Sequence, residues 1–230
     1  MAGRVKFGVE GLDEMLLGGL LEGSICAIVG TYGTGKTMFA LQFAYAGLKQ
    51  GEKVIYISLE EREELLRATI AQKGWDPEVV GDRLYLLRLD PTDFNLAISS
   101  IKCELPALIK SFGASRVIID PISLFEGLFV DDAVRRQEMF GFVEMMRDEA
   151  CTLVLTSETN TANPEESRYG LAEYLGDTVI LLHRVRSPGL TEVHQALEVV
   201  KMRRSAHSHE IKPFEIFQDR IRVYSEASLF

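Results

Sequence analysis

Residues Gly30 to Thr37 read GTYGTGKT and complete the pattern G-x-x-x-x-G-K-[ST]. An apolar run, Ile25–Val29, leads into it, and a helix-like run from Met38 leads out. That strand–loop–helix context is what a phosphate-binding loop requires. Glycines let such a loop fold into a nest of N–H groups, and the following helix adds its positive N-terminal dipole. The backbone of Gly30, Thr31, Tyr32, Gly33, Thr34, Gly35 and Met38 is therefore expected to cradle phosphates. Lys36 would reach the β- and γ-phosphates, and the Thr37 hydroxyl would hold Mg²⁺. Asp120 ends the apolar run VIID and supplies the carboxylate that would complete the Mg²⁺ site. Glu60 and Glu61 end another apolar run, KVIYISL. Near a γ-phosphate, a carboxylate can orient water for in-line attack. Acids here also suit the start of the next helix, where negative charge is favourable.

Strands alternating with helices must position these residues. Strands are predicted at 25–29, 53–59, 84–89, 116–120, 152–157 and 177–186. Helices are predicted at 38–50, 62–72, 94–111 (with Pro106 interrupting it) and 131–150. After Thr191 the pattern changes to short strands at 193–201, 211–216 and 221–224, an antiparallel extension on the sheet's edge. The alternation indicates an α/β fold with a mainly parallel twisted sheet flanked by helices. Ligands in such sheets sit outside the carboxyl ends of the strands. The phosphate loop, Glu60/Glu61, Asp120 and Ser157/Glu158 should converge on that rim.

The chain has 230 residues, 47% of them hydrophobic and 26% charged, which fits one domain spanning 1–230. A net charge of −9 disfavours a general electrostatic grip on nucleic acid or an anionic membrane. Cys26, Cys103 and Cys151 lack metal-ligand spacing, and no apolar run is long enough to span a bilayer. A reducing, cytoplasmic setting is expected.

Together these residues resemble the KaiC-type ATPases of the RecA-like P-loop superfamily. The likeness runs from GVEGLDEMLLGGLLEGS through GTYGTGKTMFALQFAYAG, ISLEE, QKGWD, VIIDPIS, TSE and RYGLAEYLGDTVILL to KMRRSAHSHEIKPFEI. It implies a RecA-like P-loop NTPase fold that binds ATP/ADP and Mg²⁺ in a ring homo-oligomer, a hexamer, with nucleotide at subunit interfaces. It implies that Glu60 and Glu61, with Lys36, are catalytic. It implies that Lys201, Arg203, Ser205 and His207 reach a neighbour's nucleotide, that Gln72 lies near the base, and that Ser157 and Glu158 occupy a sensor position. Cations supplied in trans stabilise γ-phosphate charge as arginine fingers do. Read without the resemblance, Lys201 and Arg203 are a solvated basic edge.

Two departures matter. The best-known members carry two such domains, and the serine–threonine pair autophosphorylated in their second domain aligns with Glu173 and Tyr174, so autokinase activity is not expected. Arg204 stands where the family's K-x-R-G segment has glycine. The reading reached is a slow, oligomeric ATPase whose nucleotide state governs contacts with regulatory protein partners. The alternatives are a DNA-binding recombination ATPase of the RecA/RadA kind and a nucleotide-stabilised assembly without turnover. The loop TNTANPEESRYG is poor in Lys and Arg, which argues against DNA contact.

Overall fold

The computed structural model describes residues 3–186 and 193–227, without the side chains of 94–96 and 186. The chain opens with a two-stranded antiparallel pair, β1 (Arg4–Val5) and β2 (Leu20–Leu21), around a short helix α1 (Leu12–Met15). Phe7, Val9, Leu12, Leu16 and Leu20 anchor this lead-in segment in the core. The Asp13 carboxylate fastens it locally, accepting from the Phe7 and Gly8 N–H groups.

Six strands then form a parallel array, buried except at its half-exposed edge strand. They are β3 (Ile25–Gly30), β4 (Val54–Ser58), β5 (Leu84–Arg88), β6 (Arg116–Asp120), β7 (Thr152–Glu158) and β8 (Thr178–Arg186). Their near-continuous apolar runs suit a sheet covered on both faces. Three antiparallel strands extend it: β9 (Val193–Met202), β10 (Lys212–Ile216) and β11 (Ile221–Val223). The order is β11-β10-β9-β8-β3-β7-β6-β4-β5. The turn containing Thr191 lies outside the described residues.

Alternation along the strands divides the core. Cys26, Ile28, Val54, Tyr56, Ile118 and Val154 face α2 (Lys36–Lys49), α3 (Glu63–Gln72) and α4 (Pro77–Val80). Ile55, Ile57, Val117, Ile119, Leu153 and Leu155 face the other layer. That layer contains α5 (Phe94–Ser99), a π-helical turn (Ser100–Glu104), α6 (Leu105–Phe112), α7 (Ile122–Glu126), α8 (Asp132–Asp148) and α9 (Ala172–Leu175). The interruption expected at Pro106 is the π turn itself: proline lacks the N–H that an α-helix would need there. The short helices α4, α7 and α9 carry too few residues for a hydrophobic period to reveal them. Capping sets α4 instead, with Pro77 at its start and the Asp76 side chain accepting from Glu78 N. Among the described residues no helix is long and apolar enough to cross a membrane. The Cys26 and Cys151 thiols are buried, which raises them (Cys151 to about 12) and leaves them poor nucleophiles.

One buried ion pair ties sheet, helix and lead-in segment together. The Arg116 side chain, 0% exposed, donates to both oxygens of Glu52 at 2.7 and 2.8 Å. Its Nη1 also donates to Lys6 O and Phe43 O. A Cβ on Gly47 would stand 2.5 Å from Arg116 Nε, so glycine is what admits the guanidinium. Removing one partner of such a pair strands the other. Arg116→Leu is expected to lower the unfolding free energy by about 3–5 kcal/mol, read as a lower urea midpoint at unchanged slope. Arg116 holds the Glu52 carboxyl below its ordinary value of 4.5, so this increment is present above that pH and lost on acidification through the folded-state value. Stability of the variant should accordingly fall less steeply in acid than that of the wild type.

Candidate nucleotide site

The parallel register aligns the carboxyl ends of four strands. Gly30 of β3 pairs with Glu158 of β7, and Ser58 of β4 pairs with Asp120 of β6. Beyond them lies a cavity of about 250 Å³ lined by Tyr32, Gly33, Gly35, Lys36, Thr37, Glu60, Glu61, Asp120, Pro121 and Glu158. The phosphate loop, both adjacent glutamates and the strand-end aspartate are thus brought together.

Gly33 and Gly35 take φ +72° and +94°, the left-handed backbone that glycine adopts freely. Thr34 is buried and donates to Thr31 O at 2.7 Å, bracing the loop from within. Lys36 Nζ donates to Gly30 O and Thr31 O, at 2.9 and 3.0 Å. Burial lowers its pKa, while the charges of Glu158, Asp120 and Glu60 raise it. Tyr32 is 80% exposed at the loop's tip.

Asp120 is the most constrained acid of the site. Its Oδ2 accepts from Tyr56 Oη at 2.7 Å, and its Oδ1 accepts from Thr156 Oγ1. Burial, followed by the adjoining Asp120 charge and hydrogen bond, pushes the Tyr56 phenol far up, so it remains a donor. The Glu61 carboxyl is raised, first by burial and then by the charges of Asp120 and Glu60. Ser58 Oγ donates to Glu61 O at 2.9 Å, fixing the turn that carries both glutamates. Glu158 pairs with Arg168 at 2.8 Å. The Thr37 hydroxyl and Asp120 carboxylate are hard oxygen donors at one cavity, a set that fits Mg²⁺.

Other expected residues lie elsewhere. Met38 and Gln72 line a neighbouring groove with Thr69, Lys73 and Gln218, on the α2 side of the loop. Ser157 is wholly buried and donates to Glu158 O, so Glu158 and not Ser157 lines the cavity. Lys201 pairs across β9 with Val179 of β8, beside the start of β3. Val179 neighbours Ala27 of β3, and Gly30 is three residues further along, about 10 Å by strand rise and two strands across from Lys201. Lys201 and Arg203 therefore stand at the opposite rim, and they do not alternate on one strand, because β9 ends at Met202. Lys201 Nζ donates to Glu173 O and Gly176 O, both at 2.7 Å, and Arg203 Nη2 donates to Tyr174 O at 3.0 Å. Ser205 accepts from Arg4 at 2.7 Å, and His207 Nδ1 donates to Ser208 O. Arg204 adopts φ +63°, which accounts for the fit of glycine at that position.

Tyr56, Thr156 and Arg168 were not picked out from the sequence. Tyr56 and Thr156 carried one signal, a hydrogen-bonding side chain inside an otherwise apolar strand. Arg168, ten residues from its partner across a loop, carried none.

The doubly wound sheet with its phosphate loop at the strand ends defines a P-loop nucleotide-binding protein of RecA-like fold. The chain belongs to the KaiC family of ATPases: the family described as "ATPase: KaiC" matches residues 5–228. The circadian clock oscillator protein KaiC of Parathermosynechococcus lividus is 29% identical over 226 residues, covering 94% of this chain and 41% of that protein. The UPF0273 protein PH0284 of Pyrococcus horikoshii is 29% identical, covering 100% of this chain and 97% of its own. The crystal structure of KaiC-like protein PH0186 from the same archaeon superposes with a TM-score of 0.85 at 31% identity, covering 97% and 100% of the two chains. This chain spans less than half the length of the clock oscillator relatives it matches.

Gly35→Ala tests the loop. An added Cβ would stand 2.4 Å from the mobile tip of Ile216, but the positive φ strains it by about 1–2 kcal/mol regardless. Wild-type protein with ATP at a hundredfold excess over Kd should gain about 2.7 kcal/mol of thermal stability. The variant is expected to lose most of that ATP-dependent gain, measured as the difference in Tm with and without nucleotide.

Proposed function

We propose that this chain is a Mg²⁺-dependent ATPase, one domain per chain, that turns over slowly in a ring homo-oligomer, a hexamer, with each nucleotide at a subunit interface. The observation that carries this reading is the single cavity shared by Lys36, Thr37, Glu60, Glu61 and Asp120. Thr37 and Asp120 would hold the metal ion, which neutralises phosphate charge when bound. Lys36 would leave its loop carbonyls for the phosphate oxygens. Glu60 and Glu61 would orient the attacking water, and the raised Glu61 carboxyl accepts a proton more readily than a free glutamate would.

Charge supports a shared site. The cavity offers the cation Lys36 against the acids Glu60, Glu61, Asp120 and Glu158. Lys36 and Mg²⁺ would offset Glu60, Glu61 and Asp120, with Glu158 paired to Arg168, and would leave the triphosphate's own charge to be met, so further positive charge is favoured. Lys201 and Arg203 sit too far away to reach their own site, yet they lie in a group with Arg147 and Arg204 around buried Asp177. Head-to-tail packing would bring that basic rim to a neighbour's acidic cavity, with Ser205 and His207 alongside. Hydrolysis would then bias loops or subunit contacts that protein partners read. The reading places the chain in the cytoplasm, in keeping with its free cysteines.

ATP hydrolysis by size-resolved protein is the test. Glu60→Gln/Glu61→Gln is expected to bind ATP while losing roughly 10²–10⁴ of turnover. Arg203→Ala should lose turnover only in the assembled form. The acid limb of kcat/KM should lie above pH 4.5, because Glu61 is raised from that value. Turnover by a monomer, indifferent to Arg203→Ala, would refute the shared site.

A further inference from the structure

Glu126 ends α7 with its side chain 0% exposed, and neither carboxylate oxygen has a hydrogen-bond partner. No part of the hydrolytic reading uses it. The charged and titratable groups facing it come from every element packed around it. From α9, Glu173 presents its charge, while its own oxygens accept from Ser167 N and from Ser167 Oγ at 2.6 Å. From α8, Arg135 is near, but its donors are committed. Its Nε donates to the Glu126 main-chain oxygen at 3.0 Å, Nη2 donates to Phe129 O, and Nη1 pairs with Asp132. From the loop before α9, Tyr169 packs on the Arg135 guanidinium at 4.1 Å and approaches Gly127. From β7, Glu158 meets α7 one turn earlier through Ser123, and spends its carboxylate on Arg168.

A buried carboxylate with no protein partner, beside a second negative charge, is costly, whereas the neutral acid is far less so. Burial, then the Glu173 charge, pushes the Glu126 carboxyl up to about 7, with Arg135 opposing. The element opposite is no ordinary one. The main-chain oxygens of Glu173, Tyr174 and Gly176 at α9 are the acceptors that hold Lys201 and Arg203.

We propose that Glu126 is a buried proton-binding site: protonated, it lets α7 and α9 pack together, and release of its proton to solvent loosens the carbonyls that seat Lys201 and Arg203. Subunit contact and turnover would then weaken as pH rises. That consequence rests on the shared-site reading above; the proton site itself does not.

The test compares the full chain with Glu126→Gln across pH 5–8.5. A carboxyl raised in the folded state binds more protons there than in the unfolded chain, so wild-type stability falls as pH rises between about 4.5 and about 7. The amide has no proton to lose. Relative to wild type, the Tm of the variant should rise by roughly 5 °C or more from pH 5 to pH 8.5. The wild type should also show an infrared carboxylic-acid band that titrates near neutrality and is missing from the variant. A Tm gap independent of pH, or the absence of that band, overturns the site. Glu173→Gln keeps an acceptor for Ser167 but removes the facing charge, and should move the band's titration to lower pH; an unmoved band overturns the assigned partner. Assembly and turnover should fade above pH 7 in wild type and persist in Glu126→Gln. Identical fading in both, with the Tm gap present, overturns the coupling while the proton site stands. If no form assembles at any pH, the shared-site reading fails, and the thermal and infrared results still decide the proton site.

Discussion

The hydrogen bonds to Asp120 are the constraint from which the site's geometry follows. Its two oxygens are taken by Tyr56 from β4 and Thr156 from β7, the strands on either side of β6. A buried carboxylate needs such donors to remain stable, and here each donor belongs to a different strand. The three strands are thereby locked in register at the rim where chemistry is expected. β7 in turn pairs with β3, whose last residue begins the phosphate loop. A shift of one residue would turn Tyr56 or Thr156 to the opposite face and leave Asp120 unpaired. The constraint also explains why a tyrosine and a threonine occupy fully buried strand positions that an aliphatic residue would fill more cheaply.

The sheet separates two kinds of charge. Carboxylates gather with Lys36 at the C-terminal rim, while Arg147, Lys201, Arg203 and Arg204 gather at the N-terminal rim around Asp177. Asp177 is also bonded to the first residue of β3, accepting from Ile25 N through Oδ2 while its own N–H donates to Ile25 O. The strand that launches the phosphate loop therefore starts at the cluster holding the distant cations. The cation cluster and the phosphate loop thus lie at opposite ends of one hydrogen-bonded strand.

The residues gathered at the strand ends were legible because a phosphate-loop motif has particular residue types at fixed spacing and the acids directly follow apolar runs. Gly30, Gly35, Lys36, Thr37, Glu60, Glu61 and Asp120 could all be named for that reason. The parallel sheet was legible because buried strands carry unbroken apolar runs, and the C-terminal change to antiparallel strands because short strands separated by turns replace the strand–helix alternation there. What stayed hidden depends on tertiary juxtaposition. Nothing local says that Arg116 reaches Glu52 across the sheet, or that Arg168 finds Glu158. Ser157 was assigned with its neighbour because strand parity at the very end of β7 cannot be fixed without the pairing register. Placing Lys201 and Arg203 on one strand face assumed that β9 continues, whereas the backbone turns at Arg203 and enters the left-handed region at Arg204.

That turn carries its own consequence. Arg204 holds a conformation that costs a side-chain-bearing residue about 1–2 kcal/mol, with its guanidinium 4.0 Å from Asp177. A glycine would relieve the strain but would remove a cation from a cluster that already surrounds one buried acid with three arginines. Arg147 of that cluster also reaches Glu144 at 3.6 Å, whereas Arg203 and Arg204 are exposed and lie 3.9 and 4.0 Å from Asp177. The strain at Arg204 and the exposure of Arg203 are what the proposed contact with a neighbouring subunit's nucleotide would draw on.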